Sequence, residues 1–202
     1  MRKFIKLTIY CIFYVLVLPF GLLSLLWYKI FGTQVIYHYC AESFSLLPAH
    51  IGILVRGAFY NQTLKKAHHD LTVHFGGYLS KMDSVLGKNV CIAGHATIGL
   101  VNVGDNAAIG NNCNVLSGRH HHNFEDTGED IFSGEDRFAV INIGKNSFIG
   151  DNTVVMAHIG EYSIVGAGSV VVKDIPDYVI AVGNPAKVVK ERPRGEQNET
   201  AG

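Results

Sequence analysis

Branched aliphatic residues recur at every sixth position through the middle of this chain, a period that neither a helix nor an ordinary strand can use. They fall into triplets: Leu86, Ile92, Ile98; Val103, Ile109, Val115; Ile143, Ile149, Val155; and Ile159, Val165, Val171. Glycine follows directly in eight of the twelve cases. Four places after the aliphatic the side chain is small in eight cases: Val90, Ala96, Ala107, Cys113, Ser147, Thr153, Ser163 and Ser169. An amphipathic helix repeats at about 3.6 residues and an alternating strand at about 2, so both are excluded. Three hexads per group describe one turn of a three-sided coil. The aliphatic fills the bore, and only a small residue fits at the next inward corner. Glycine or asparagine after the aliphatic is expected to supply the unusual backbone angles of the turn. Such coils bury a continuous core only by stacking. The chain supplies four triplets and a poorer lead-in coil over residues 71–81.

The N-terminal third is different. Residues 7–28, "LTIYCIFYVLVLPFGLLSLLWY", carry no charge. As a helix they reach roughly 33 Å, enough for a hydrocarbon core of about 30 Å. Arg2, Lys3 and Lys6 flank one end and Lys29 the other, with Trp27 and Tyr28 placed for an interface. The run is too long for a signal peptide, and no small-residue cleavage site follows it. Pro19 and Gly21 leave two forms open, a kinked single span or a helical hairpin that enters and leaves on one face. A single span with basic residues before it tends to place the rest of the chain outside the cell. Residues 42–65 read as a second element, an amphipathic helix with Arg56, Lys65 and Lys66 available to lipid headgroups, or a plain packing helix. The expected organisation is a membrane anchor over 1–31, a helical lead-in over 32–70, the coils over 71–185, and a C-terminal segment with a polar tail over 186–202.

Following the hexads, the chain reads "IVGAGSVVVKDIPDYVIAVGNPAKVVK". With its "GAGS" turn and closing "VGNPAK", this stretch resembles the left-handed β-helix (hexapeptide-repeat) acyltransferase family over residues 71–190. The upstream "LLPAHIGILVRGAFYNQTL" is similar to a membrane-associated subgroup that O-acetylates sugars of surface polysaccharides. The resemblance implies a mainly β fold, a left-handed parallel β-helix, preceded by the membrane helix or hairpin. It implies a homotrimer whose active sites lie between subunits, acetyl-CoA as co-substrate, and a loop histidine as general base. It also implies that the backbone of Gly166, Ala167, Gly168 and Ser169 lines the pantetheine. Asn184 and Pro185 belong to the closing motif, and Lys173, Lys187 and Lys190 are candidates to meet the phosphates. Phe148 stands where many relatives carry tryptophan, beside the acceptor or pantetheine pocket, and His158 is a turn residue beside the acceptor.

The loop is visible without the family. Val115 and Ile143 are 28 residues apart where the hexad spacing is six, and "SGRHHHNFEDTGEDIFSGEDRF" lies between them. A β-helix face carries little chemistry, so an excursion over about 119–140 is the place to look for a site. An alcohol attacking a thioester must lose its proton, and an imidazole of pKa near 6.5 is matched to take it. The subgroup's Ser-Gly-x-x-x-His pattern selects His122; other members' spacing selects His120. Glu125 or Asp126 can fix the tautomer. A metal site is not expected, since consecutive histidines diverge and no further ligand is evident. Nor does the chain match the spaced zinc histidines of the related β-helical carbonic anhydrases.

Composition closes off other classes. Net charge is zero, so no nucleic-acid partner is expected. The four cysteines have no C-x-x-C spacing and read as reduced. The expected function is acetyl transfer to a hydroxyl of a lipid-linked sugar or surface-polysaccharide precursor, on the cytoplasmic face of the inner (plasma) membrane. The alternatives are N-acylation of an amino sugar or small molecule, and a non-catalytic trimeric scaffold at the membrane.

Overall fold

The computed structural model describes residues 2–117 and 138–194, with side chains from residue 8 onward. Three helices lead: α1 (Arg2–Phe31), α2 (Val35–Ser45) and α3 (Ala49–Thr63). Short strands then wind into coils. The first holds β1 (Thr72–Val73), β2 (Tyr78–Leu79) and β3 (Val85–Leu86); the second β4 (Cys91–Ile92), β5 (Thr97–Ile98) and β6 (Val101–Val103). The third holds β7 (Ala108–Ile109), β8 (Asn114–Val115) and β9 (Ile141–Ile143). In the fourth, β10 (Phe148–Ile149) and β11 (Val154–Val155) are completed by a bridge at Ile159; in the fifth, β12 (Ile164–Val165) and β13 (Val170–Val171) by one at Ile175. β14 (Val179–Val182) begins another turn, and β15 (Lys187–Glu191) folds back antiparallel on it.

Equivalent strands stack in parallel and give three faces. The first runs β1-β4-β7-β10-β12-β14 with β15 at its edge, and the second β2-β5-β8-β11-β13. The third runs β3-β6-β9 and continues through the bridges at Ile159 and Ile175. All twelve hexad aliphatics are at most 3% exposed, and none of the eight small residues four places on exceeds 2%. Each buried aliphatic contributes about 1.5–3 kcal/mol. The lead-in coil is a full coil, with Val73 and Leu79 both buried six residues apart.

Glycine's role differs from the expectation. The residue after the aliphatic does not adopt positive φ; that falls two places later, at Asn89, Asn106, Asn112, Asn146 and Asn152 among others. The glycine is required because coils approach there: a Cβ on Gly150 would sit 2.5 Å from the Ala167 nitrogen. Gly150→Val is therefore expected to cost roughly 3 kcal/mol or more. Asn152→Gly, at φ +58°, relieves strain and loses backbone entropy, so it stays within about 1 kcal/mol. Urea midpoints of the two variants check this.

At the N-terminus the structure chooses between forms that the sequence leaves open and divides one segment in two. α1 is one unbroken helix through Pro19, not a hairpin. Proline removes only one intrahelical hydrogen bond, and the turn before it is supported from outside, the Tyr14 carbonyl accepting from Gln62 Nε2 at 2.8 Å, so the helix continues. The 42–65 segment is two helices rather than one. Proline disfavours helix at the residue before it, and the chain breaks at Leu46–Pro48, with Ala49 at φ +53°. Arg56 does not reach headgroups but is fully buried. Its Nε donates to the Val73 carbonyl (2.8 Å) and its Nη1 to those of Phe44 (2.8 Å), Leu47 (2.9 Å) and Ser45 (3.3 Å). α3 is the packing helix. With α2 it caps the first coil: the Tyr37 hydroxyl donates to the Leu79 carbonyl (2.9 Å), and the Leu79 N–H donates to the Tyr60 hydroxyl (3.1 Å). Burial holds both phenols well above their ordinary pKa, so they remain neutral donors.

Candidate functional site

His120, His122, Glu125 and Asp126 lie outside the described residues, but both feet of their excursion are described. The chain leaves after Ser117, at the corner between the second and third faces, and returns at Phe138. The two feet are tied together, the Ala139 N–H donating to the Ser117 carbonyl at 2.8 Å. The Ser117 hydroxyl accepts the Leu100 N–H at 2.8 Å, and the Lys81 ammonium sits 3.5 Å from the centre of the Phe138 ring. The root is thus anchored to the prism on both sides.

Beside that root opens a cleft of about 350 Å³. Ala139, Val140 and Ile141 form the side belonging to the returning foot, and Met156, His158 and Lys173 lie across from them. His158 is held from both neighbouring coils. Its ring Nδ1 accepts the Asn142 N–H at 3.0 Å, and its backbone N–H donates to Asp174 Oδ1 at 2.9 Å. A backbone N–H aimed at Nδ1 requires the lone pair there, so the neutral ring carries its proton on Nε2. In this tautomer His158 offers the cleft a hydrogen-bond donor, not a base. Asn142 and Asp174 were missed in the sequence. The signal was their spacing, sixteen residues on either side of His158, which is the coil repeat at that corner.

The other candidates sit elsewhere. Gly166, Ala167, Gly168 and Ser169 form the turn between the first and second faces, one corner away from the cleft. Ala167 and Gly168 are exposed, but the Ser169 side chain is buried; its hydroxyl donates to the Gly166 carbonyl and accepts the Gly183 N–H at 3.1 Å. Asn184 and Pro185 join this corner, because the Val170 N–H donates to the Gly183 carbonyl (3.0 Å) and the Ala186 N–H to that of Val170 (2.8 Å). Lys187 and Lys190 are exposed on β15, and Phe148 points outward from the first face, 47% exposed. One chain therefore brings His158 and Lys173 to the loop root and holds the glycine turn apart from it.

Burial pushes the Cys40, Cys91 and Cys113 thiols up, so none is a ready thiolate at neutral pH. Among the described residues no group of three or more His, Cys, Asp or Glu side chains could hold a metal ion.

No protein-family model and no curated protein matches the chain. Solved structures do. A galactoside acetyltransferase in complex with coenzyme A is 25% identical with a TM-score of 0.60, covering 76% of this chain and 78% of that one. A maltose O-acetyltransferase from Clostridium difficile 630 is 22% identical with a TM-score of 0.59, over 78% and 86% of the two chains. A hexapeptide-repeat acetyltransferase from Vibrio cholerae is 18% identical with a TM-score of 0.58, over 78% and 89%. The resemblance read from the hexads and the closing motif is thus borne out in the fold.

Proposed function

We propose that this protein is an acetyl-CoA-dependent acetyltransferase whose acceptor is a hydroxyl of a sugar, lipid-linked or destined for a surface polysaccharide. The observation that carries the reading is the cleft at the foot of the histidine loop, on a fold similar to that of a galactoside acetyltransferase with coenzyme A bound. His122, with His120 as the alternative, takes the acceptor's proton as its oxygen attacks the thioester carbonyl. The tetrahedral oxyanion is met by backbone N–H groups, and the coenzyme thiolate leaves. Glu125 or Asp126 holds the imidazole in the right tautomer. The acceptor sits in the cleft against His158, whose Nε2–H donates to a sugar oxygen.

The backbone of Gly166–Ser169 with Asn184 and Pro185 receives the pantetheine, and Lys187 and Lys190 the phosphates; Lys173 lines the cleft at the thiol end, away from the phosphates. Phe148 borders that path. Because turn and cleft occupy different corners of one prism, a homotrimer that sets one subunit's turn against the next subunit's cleft completes the site. The N-terminal anchor holds the enzyme on the cytoplasmic face of the inner (plasma) membrane, where it raises the effective concentration of a lipid-linked acceptor.

The test is transfer of labelled acetyl from acetyl-CoA to sugar lipids extracted from membranes. Saturable transfer supports the reading; no transfer together with no saturable acetyl-CoA binding supports a scaffold instead. Within that assay, His158→Ala is expected to raise the acceptor KM roughly tenfold through loss of one hydrogen bond (about 1.4 kcal/mol), leaving that for acetyl-CoA unchanged. His158→Gln keeps an N–H donor and restores most of the loss with the same pH profile. A pH limb that vanishes in His158→Gln would make this residue the base.

A further inference from the structure

We infer that α1 lies in one leaflet of the membrane and does not cross it, which leaves both chain ends and the prism on the same face. The inference rests on the lipid contact in the reading above and fixes its geometry. Length and composition alone suggest a span: Thr8–Phe31 is 24 residues of mean hydropathy 2.4. The packing points elsewhere.

One stripe of α1 is covered by protein along most of that length. The Tyr10 ring meets His69 at 6.1 Å, the Tyr14 carbonyl accepts from Gln62 Nε2 at 2.8 Å, and Phe20 meets Phe44 at 5.5 Å. Val17, Gly21 and Ser24 are buried in the same stripe. From Tyr10 to Ser24 the helix runs about 21 Å. Over that distance it lies against α2, α3 and the His69 loop, which are themselves bonded to the first coil of the prism.

Were α1 to stand across a hydrocarbon layer of about 30 Å, it would carry α3 and the end of the prism into that layer. Exposed Lys65, Lys66 and Asp70 would go with them, along with irregular backbone at the coil corners. Neither is tolerated facing lipid. Lying flat meets no such conflict. The uncovered side of α1 is apolar, with Val15, Leu16, Leu22 and Leu26 each more than half exposed. In the sequence, Arg2, Lys3 and Lys6 precede the apolar run and Lys29 follows it, a flanking by basic residues that suits a surface-lying helix at anionic lipid. Leu46 and Ile51, exposed at the break between α2 and α3, add apolar surface to the same helical cap.

This arrangement also removes the topological difficulty in the sequence, because a basic N-terminus and a prism supplied with cytosolic coenzyme no longer need opposite faces. The experiment uses the full chain with a short epitope at each end, in closed inside-out vesicles from expressing cells treated with protease. Both epitopes are expected to be removed together, while the chain resists extraction by high salt. Removal of one epitope and survival of the other overturns the inference and leaves the transferase reading intact. Recovery of the chain in the soluble fraction overturns both the inference and the membrane part of the proposed function.

Discussion

His122→Ala is expected to lower turnover by about 10²–10⁴-fold, the share of rate that a positioned general base supplies. An acceptor hydroxyl is a poor nucleophile at neutral pH, and nothing described in the cleft substitutes for the base. His158 is held with its proton on Nε2 by the Asn142 N–H, and Asp174 is engaged by the backbone N–H of His158, not by its ring. The wild-type rate should rise with pH through the range near 6.5 where an imidazole deprotonates, and the variant should lose that limb. Acetyl-CoA binding should be unchanged. His120→Ala is expected to cost less, and the reverse order would move the base to His120. Equal turnover in wild type and both variants would remove the loop from the chemistry.

The second large effect is structural. Arg56→Ala is expected to destabilise the fold by about 3–5 kcal/mol, the combined cost of carbonyls that lose their donors and of the cavity left by a fully buried side chain. Among the described residues no carboxylate pairs with Arg56. Its charge is offset by the carbonyls of Phe44, Ser45 and Leu47 at the C-terminal end of α2, where helix carbonyls lack intrahelical donors and the dipole favours a cation. A further bond to the Val73 carbonyl ties this junction to β1. Alanine takes the donor from the Val73 and Leu47 carbonyls, while those of Ser45 and Phe44 keep the Gly76 and Leu47 N–H groups, and it opens a cavity between the cap and the first coil. For a chain of this size the expected fall in Tm is roughly 10 °C. Arg56→Lys should rescue little, since one ammonium cannot reach carbonyls on two elements as a planar fork does. A Tm within about 2 °C of wild type for Arg56→Ala would show that the cap does not depend on it.

The same residue shows where sequence reading reaches its limit. The hexads were legible because each inward aliphatic repeats the same local geometry, so a one-dimensional period encodes the three faces. The first coil was harder to see: Val73 and Leu79 keep the spacing of six, but the next inward residue, Leu86, comes seven later. Arg56 was misread because a charge in an apolar stretch signals surface unless its acceptors are known, and those are carbonyls brought together only by the fold. For the glycines, turn geometry and close approach between coils favour the same residue type, so sequence alone does not separate them. His158 was singled out as a turn residue, yet its tautomer depends on Asn142 and Asp174, which are neighbours only across coils. The loop itself was legible as an interruption of the period. Its corner followed from where Ser117 and Phe138 sit on the prism.

A structure of the assembled protein with coenzyme A bound is the most direct measurement. The thiol should lie in the cleft between the loop root and His158, with the pantetheine running along a neighbouring subunit's Gly166–Ser169 turn. Coenzyme bound away from that cleft, or a protein that stays monomeric and binds none, would refute the assignment of the cleft as the site of acetyl transfer.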